Sequence, residues 1–231
     1  MIINIQPIGK IHTPYKEKFG IPRQPGLAKS AEGQIIFFDA FNDPNYLRGI
    51  EQLSHLWLIF HFHQTVDKGH SPLVRPPRLG GNQKLGVFAT RSPFRPNSIG
   101  MSVVEFAAVS YQNKQLILTV KGVDLLDGTP ILDIKPYVPY ADNVLEASGG
   151  MAQHSPELMV VIFSEQANAQ LKIHEQRYPT LSSLIQEVLS QDPRPAYHQN
   201  SQSEKTYGIT LYELNIQWQV INQQNLVMTI V

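Results

Sequence analysis

Residues 55–62 read HLWLIFHF, apolar at every position except the two histidines. An unbroken apolar run of this length predicts a strand buried on both faces, at the centre of a sheet. On its C-terminal side, Met101 to Val109 and Gln115 to Val123 are two further strand-like runs separated by the polar stretch Tyr111-Gln112-Asn113-Lys114, a hairpin signature. Asp124-Leu125-Leu126-Asp127-Gly128-Thr129-Pro130 then forms a turn into a strand over Ile131 to Pro136. On the N-terminal side, Ile3 to Ile8 and Gln34 to Phe38 are strands, and Tyr46 to Leu53 is a short helix behind Pro44. About six strands with irregular loops and little helix predict a mainly β domain, an antiparallel barrel or a sandwich.

Beyond this region the pattern changes. Leu145 to Glu157, LEASGGMAQHSPE, has the small and polar composition of a linker. Met159 to Phe163 is a strand, and Ser164 is placed to cap a helix running to about Arg177. A second helix has Thr180 as its N-cap, apolar residues at Leu181, Leu184, Ile185, Val188 and Leu189, and a stop at Asp192-Pro193. Tyr212, Leu214, Ile216, Trp218 and Val220 alternate with polar residues as in a one-sided strand, and Asn222 to Asn225 turns it into Leu226 to Val231. The chain therefore divides into residues 1–145, mainly β, and a small α+β unit at 158–231, joined by 146–157.

Composition restricts the chemistry. With 231 residues the chain can bury a full hydrophobic core, and with no cysteine it excludes disulfides, thiolate nucleophiles and Cys-based metal sites. No segment approaches the roughly 20 apolar residues of a membrane span, and MIINIQPIGK lacks the pattern of a secretion signal, so a cytoplasmic protein is expected. A net charge of zero hides a split: residues 1–104 hold 12 Lys+Arg against 6 Asp+Glu, and residues 105–231 hold 7 against 13. Either the first part meets an anionic partner such as nucleic acid, or the two parts pair their charges.

The basic character concentrates in Arg75 to Ser102, RPPRLGGNQKLGVFATRSPFRPNSIGMS. It holds Arg75, Arg78, Lys84, Arg91 and Arg95, four prolines, four glycines and no acidic residue. Guanidinium forks suit phosphates and carboxylates, prolines stiffen a loop, and glycines let a ligand approach the backbone. A second basic loop, KEKFGIPRQPGLAKS, carries Lys16, Lys18, Arg23 and Lys29, and loops of that length inside compact domains are usually functional or disordered. Neither a P-loop nor a Rossmann glycine fingerprint is present, and there is no G-x-S-x-G. His61 and His63, two apart on a strand, would share a face as two metal ligands can, but no third ligand has a recognisable spacing and no metal is expected. Hydrogen bonding of a ligand by His63 and Gln64 is the preferred reading. Asp124 and Asp127 sit where Asp commonly caps its own turn, although Asp127 can also accept a proton. Asp142 has no context and reads as a surface residue. Arg194 and Tyr197, in the loop QDPRPAY, meet RNA or pack the loop.

PYKEKFGIPRQPGL (14–27), HLWLIFHFHQ (55–64), residues 75–102, DLLDGTPILDIKPYVPYAD (124–142) and QDPRPAY (191–197) together resemble the TrmO family, also known as the TsaA-like or VirR group, in its bacterial two-part form. The resemblance runs nearly the full length. It implies an N-terminal antiparallel β-barrel that uses S-adenosylmethionine to methylate N6 of threonylcarbamoyl-adenosine next to the anticodon of threonine-accepting tRNA. It also implies a homodimer with loops from both subunits at the site. Matched motif by motif, the cofactor contacts fall on Pro22, Arg23, Gln24, His63, Gln64, Arg91, Met101, Asp127, Gly128, Thr129 and Pro130. Methyl transfer needs no covalent enzyme intermediate, so the lack of Cys is no obstacle, but the attacking nitrogen must lose a proton, for which Asp127 and His63 are the candidates. Arg75, Arg78, Arg91 and Arg95 suit the threonyl carboxylate and the phosphates. Lys16 and Lys18 would extend the RNA surface, with Tyr15 stacking on a base. The alternative is a non-catalytic RNA-binding barrel, which has no reason to hold a sulfonium.

Overall fold

The structure is a computed structural model and describes residues 2–79, 83–194 and 205–231. It divides into two compact units that do not follow chain order: residues 1–12, 33–121 and 128–154 form one, and 13–32, 122–127 and 155–231 the other.

The first unit is a closed barrel. Its strands are β1 (Gly9–His12), β2 (Glu32–Phe37), β3 (His55–His61), β6 (Ile99–Gln112), β7 (Gln115–Lys121) and β8 (Thr129–Pro136), in the order β1-β2-β7-β6-β3-β8. A small ribbon of β4 (Leu73–Val74) and β5 (Leu85–Gly86) lies within the basic segment. The pairs β1–β2, β1–β8, β3–β6, β3–β8 and β6–β7 are antiparallel. Of the two architectures that the strand count left open, closure selects the barrel, which removes both exposed edges.

β3 lies between β6 and β8, as its apolar run predicts, yet it is not buried on both faces. Leu56, Leu58 and Phe60 are buried, whereas Trp57, Ile59 and His61 are half-buried. The outer face has its own partners: Trp57 Nε1 donates to Asp142 Oδ2 at 2.9 Å, beside the short α1 (Pro139–Asp142). Asp142 also accepts from the Val138 N–H at 2.8 Å, so it is a structural cap and not an isolated surface residue. The Val138 bond and then the Trp57 bond hold its carboxyl below the usual carboxylate range.

Three local expectations change. The opening strand is Gly9–His12 and not Ile3 to Ile8; Pro7 has no N–H to give the ladder, and Ile2, Ile3 and Ile5 are exposed. Tyr46 to Leu53 is no single helix, because Gly49 at φ 88° separates 3-10 turns at Pro44–Leu47 and Ile50–Gln52. The β6–β7 hairpin turns through Asn113 and Lys114, both at positive φ (51° and 65°), the pair of left-handed residues that a two-residue hairpin requires.

The second unit packs α2 (Glu165–His174) and α3 (Leu181–Ser190) with a sheet of order β10-β11-β12-β9. Here β9 is Val160–Phe163, β10 Thr206–Leu211, β11 Leu214–Ile221 and β12 Gln224–Ile230, with β9 parallel to β12. Ser164 Oγ accepts from the Ala167 N–H at 3.1 Å and caps α2. The apolar stripe of α3 is buried at all five predicted positions, but Thr180 makes no side-chain cap; its hydroxyl lies 3.5 Å from the Ser30 carbonyl. The predicted strand from Tyr212 begins instead at Leu214, because Tyr212 and Glu213 form the turn of a hairpin whose first strand, β10, was missed although Tyr207, Ile209 and Leu211 alternate along it and are buried.

Candidate functional site

In the barrel unit, β3 ends at His61 and the chain turns at once. The His63 N–H bonds the His61 carbonyl at 2.8 Å, an i to i+2 turn, so the two imidazoles are not on one strand face as the spacing implied. Among the described residues no cluster of three or more His, Cys, Asp and Glu is placed to hold a metal. The Phe62 N–H bonds the Ser98 carbonyl at 2.8 Å, which ties this turn to Pro96–Ile99. Asn97 and Ser98 there both adopt positive φ, 66° and 48°. Consecutive left-handed residues that are not glycine are uncommon, and they concentrate where a turn is held for a purpose. Sequence reading missed them; the available signal was Asn after Pro96, since Asn tolerates this region best.

Next to that turn, Gly100 pairs with Phe60, and a Cβ on it would come within 2.4 Å of the Phe60 ring and 2.8 Å of the Phe62 ring. Only glycine lets both rings pack there. Met101 follows, opposite Ile59 and 47% exposed. The basic segment folds back on itself and on Ser71 and Pro72: the Ser71 N–H bonds Phe94 O at 3.2 Å, the Val87 N–H bonds Pro72 O at 3.0 Å, and Arg95 Nη1 donates to Thr90 O at 3.2 Å. Arg95 is thus half-buried and partly committed to its own loop, whereas Arg75 and Arg91 are exposed. Arg78 lies in a 3-10 turn, and its side chain is outside the described residues. Gly128, Thr129 and Pro130 lead into β8; the Gly128 N–H bonds Ile11 O at 2.9 Å, and Thr129 is buried.

The remaining candidates belong to the second unit. Pro22 is buried, Gln24 half-buried and Arg23 exposed. Asp127 Oδ1 accepts the Thr13 N–H at 2.9 Å, and Oδ2 pairs with Lys16 Nζ at 2.9 Å. The carboxylate is therefore fixed and carries a cationic neighbour. Lys16 faces a carboxylate before it faces any RNA, and Glu213 is held below the usual range by the Tyr178 hydroxyl first and by Arg177 and Lys16 as well. Tyr15 is 1% exposed and cannot offer its ring to a base. Burial, and then Asp124, Glu187 and Tyr212, push its phenol far above the ordinary value, so it stays neutral. The RNA-stacking role for Tyr15 is withdrawn on that ground. Arg194 is 5% exposed and forms a fork with Asp192 at 2.7 and 2.9 Å, so its guanidinium is committed to that pair; the rest of the loop, Tyr197 included, lies outside the described residues.

Comparison with known proteins gives this geometry its class. The family model of the tRNA-methyltransferase O N-terminal domain matches residues 10–143, and that of the TrmO C-terminal domain matches residues 156–231. The tRNA (adenine(37)-N6)-methyltransferase of Escherichia coli K12 is 51% identical over 214 residues, 92% of this chain and 91% of that protein. RcsF of Pseudomonas aeruginosa, named as a candidate S-adenosylmethionine-dependent methyltransferase, is 48% identical over 94% of this chain and 93% of its own. The crystal structure of TrmO from Pseudomonas aeruginosa superimposes with a TM-score of 0.85 at 39% identity, covering 100% of this chain and 99% of that one. A closed barrel without a glycine fingerprint, matched by a methyltransferase domain, defines a tRNA methyltransferase of the barrel type. The chain belongs to the TrmO family.

Proposed function

We propose that this protein transfers a methyl group from S-adenosylmethionine to N6 of adenine 37 in tRNA, and that its acceptor is threonylcarbamoyl-adenosine in threonine-accepting tRNA. The observation that carries this is the 51% identity, across 92% of the chain, to the Escherichia coli tRNA (adenine(37)-N6)-methyltransferase. In chain order, residues 1–145 carry the methyltransferase and 158–231 the appendage, joined by 146–157. The protein acts as a homodimer in the cytoplasm, where its tRNA is; no described helix is long and apolar enough to cross a membrane.

S-adenosylmethionine supplies an electrophilic methyl on a sulfonium. The chemistry in each unit suits such a group: in the barrel unit, the His63–Gln64 turn for the polar edges of a purine or ribose and an exposed Met101 for apolar contact; in the second unit, the Asp127 carboxylate for a cationic amino group. Pro22, Arg23, Gln24, Arg91 and Gly128 to Pro130 complete the contacts. Asp127 or His63 takes the N6 proton, directly or through water, while positioning of the nitrogen supplies much of the rate. Arg75, Arg78 and Arg95, with Lys18, face phosphates and the threonyl carboxylate, and Lys16 serves chiefly to fix Asp127.

The test is to incubate the purified protein with labelled S-adenosylmethionine and tRNA from cells able or unable to install threonylcarbamoyl-adenosine. Label entering only the modified tRNA is expected. Transfer to both pools would refute the acceptor, and failure to bind the cofactor would leave an RNA-binding barrel. Light scattering at assay concentration should show a dimer, and a monomer would contradict the assembly.

A further inference from the structure

The loop that carries Pro22, Arg23 and Gln24 follows β1 in the chain, yet it folds as part of the second compact unit. Its N-terminal half is tied down by the β10–β11 hairpin. Tyr15 forms a bridge with Leu211, the Tyr212 N–H bonds Pro14 O at 2.7 Å, and the Thr210 N–H bonds Glu17 Oε1 at 2.7 Å. The Phe19 ring stacks on Trp218 at 6.2 Å, and Gly20, at φ +87°, sits against Ile209 so closely that a Cβ would meet its side chain at 3.3 Å. The C-terminal half is tied down by α3: Gln191 Nε2 donates to Leu27 O at 3.3 Å, and Glu187 Oε2 accepts the Ser30 N–H at 2.8 Å. Residues 21–26 are thus suspended between two anchored ends. One of them, Gly26, is braced further by its N–H bond to Gly122 O at 2.8 Å, in the segment that leads to Asp127.

We infer that the C-terminal chain is the holder of this loop, with Glu187 and Gln191 as positioning residues that set the population in which Pro22 to Gln24 are arranged for the cofactor. The inference rests on the proposed cofactor role of those three residues. A loop without regular structure samples many conformations, and a ligand that needs one of them binds more weakly in proportion to its fractional population. Two hydrogen bonds at the loop's outgoing end, each worth a modest net stabilisation, are enough to change that fraction by about tenfold. The partners of Glu17, Leu27 and Ser30 in these bonds, Thr210, Gln191 and Glu187, each lie more than 150 residues further along the chain.

The test uses the full chain and reads S-adenosylmethionine binding calorimetrically, together with KM and kcat. Glu187→Ala combined with Gln191→Ala should raise the cofactor Kd and KM about tenfold while leaving kcat at saturating cofactor within about twofold. Glu187→Gln, which keeps an acceptor for the Ser30 N–H, should bind as the unaltered protein does. So should Lys172→Ala, on the exposed side of α2. Amide hydrogen exchange over residues 16–30 of the free protein should quicken only in the double variant. A double variant that is folded and binds with unchanged Kd overturns the inference, even if exchange in the loop has quickened. If the double variant does not fold, Glu187→Ala alone is judged by the same criterion. Should the unaltered protein itself not bind S-adenosylmethionine, it is the cofactor reading that fails, and the exchange result still reports whether α3 holds the loop.

Discussion

The two compact units distribute their cations differently, although each holds ion pairs, Lys135 with Asp133 in the barrel unit among them. In the second unit, Lys16 has Asp127, Arg177 has Glu213 and Arg194 has Asp192, each as a direct ion pair. In the barrel unit, the segment 75–102 carries five cations and no acidic residue of its own. The zero net charge of the chain is therefore made of two arrangements. One is internal pairing that fixes turns and loop ends. The other is a concentration of guanidinium groups for which the phosphates of a nucleic acid are the natural counter-charge. Of the second unit's pairs named here, only Lys16–Asp127 joins the basic first part of the chain to the acidic second, whereas Arg177–Glu213 and Arg194–Asp192 lie within the second.

The contrast is broken most forcefully at Asp127. Asp127→Asn removes both the Lys16 pair and the proposed proton acceptor, and should lower kcat by about 10²-fold to 10³-fold. Full turnover with normal cofactor binding would take Asp127 out of the base role and leave it as a cap. In the barrel, Gly100→Ala drives a methyl into the Phe60 and Phe62 rings. It should cost roughly 1–3 kcal/mol in a denaturant titration, and an unchanged midpoint would show that the rings can move aside.

A smaller effect compares the two kinds of cation directly. Arg75→Ala should weaken tRNA binding by roughly threefold to tenfold and reduce the salt slope by about 0.9, as loss of one phosphate contact does. Arg177→Ala, which loses an exposed pair with Glu213 and a contact over the Tyr178 ring, should leave both unchanged. Equal losses from the two variants would erase the distinction between the units. The smallest effect is at Asp142, whose carboxyl is held low by the Val138 N–H and Trp57. A depressed folded-state value stabilises the protein above the unfolded value and loses that contribution as pH falls through the folded one. The melting temperature of Asp142→Asn should accordingly lie below that of the unaltered protein at neutral pH and converge with it in acid. A difference that persists in acid would assign the effect to shape and not to charge.

Most of the fold was legible because its signals are local. The apolar run at 55–62, the Asn113–Lys114 turn and the stripe Leu181, Leu184, Ile185, Val188 and Leu189 each express one period or one turn geometry, and each forms the element that it announces. The misreadings also have local causes. Pro7 displaced the first strand and Gly49 divided a helix into 3-10 turns; β10 went unread although Tyr207, Ile209 and Leu211 alternate along it. The candidate site was less legible. Tyr15 looked like a stacking residue because an aromatic beside two lysines resembles an RNA surface, but burial against its own unit decided otherwise. Likewise, two histidines spaced for one strand face were separated by a turn that no periodicity encodes.

By itself, the sequence determined most of the strands and helices, the absence of thiol and P-loop chemistry, the carboxylate-free basic loop and the family. All of these are set by residue type and short-range spacing. Tertiary structure alone decided that the strands close into a barrel, that Asp127 is clamped by Thr13 and Lys16, and that residues 13–32 fold with the C-terminal chain. Those outcomes depend on pairs such as Ser30 and Glu187, 157 positions apart, whose bond is a matter of packing geometry and leaves no mark in the spacing along the chain.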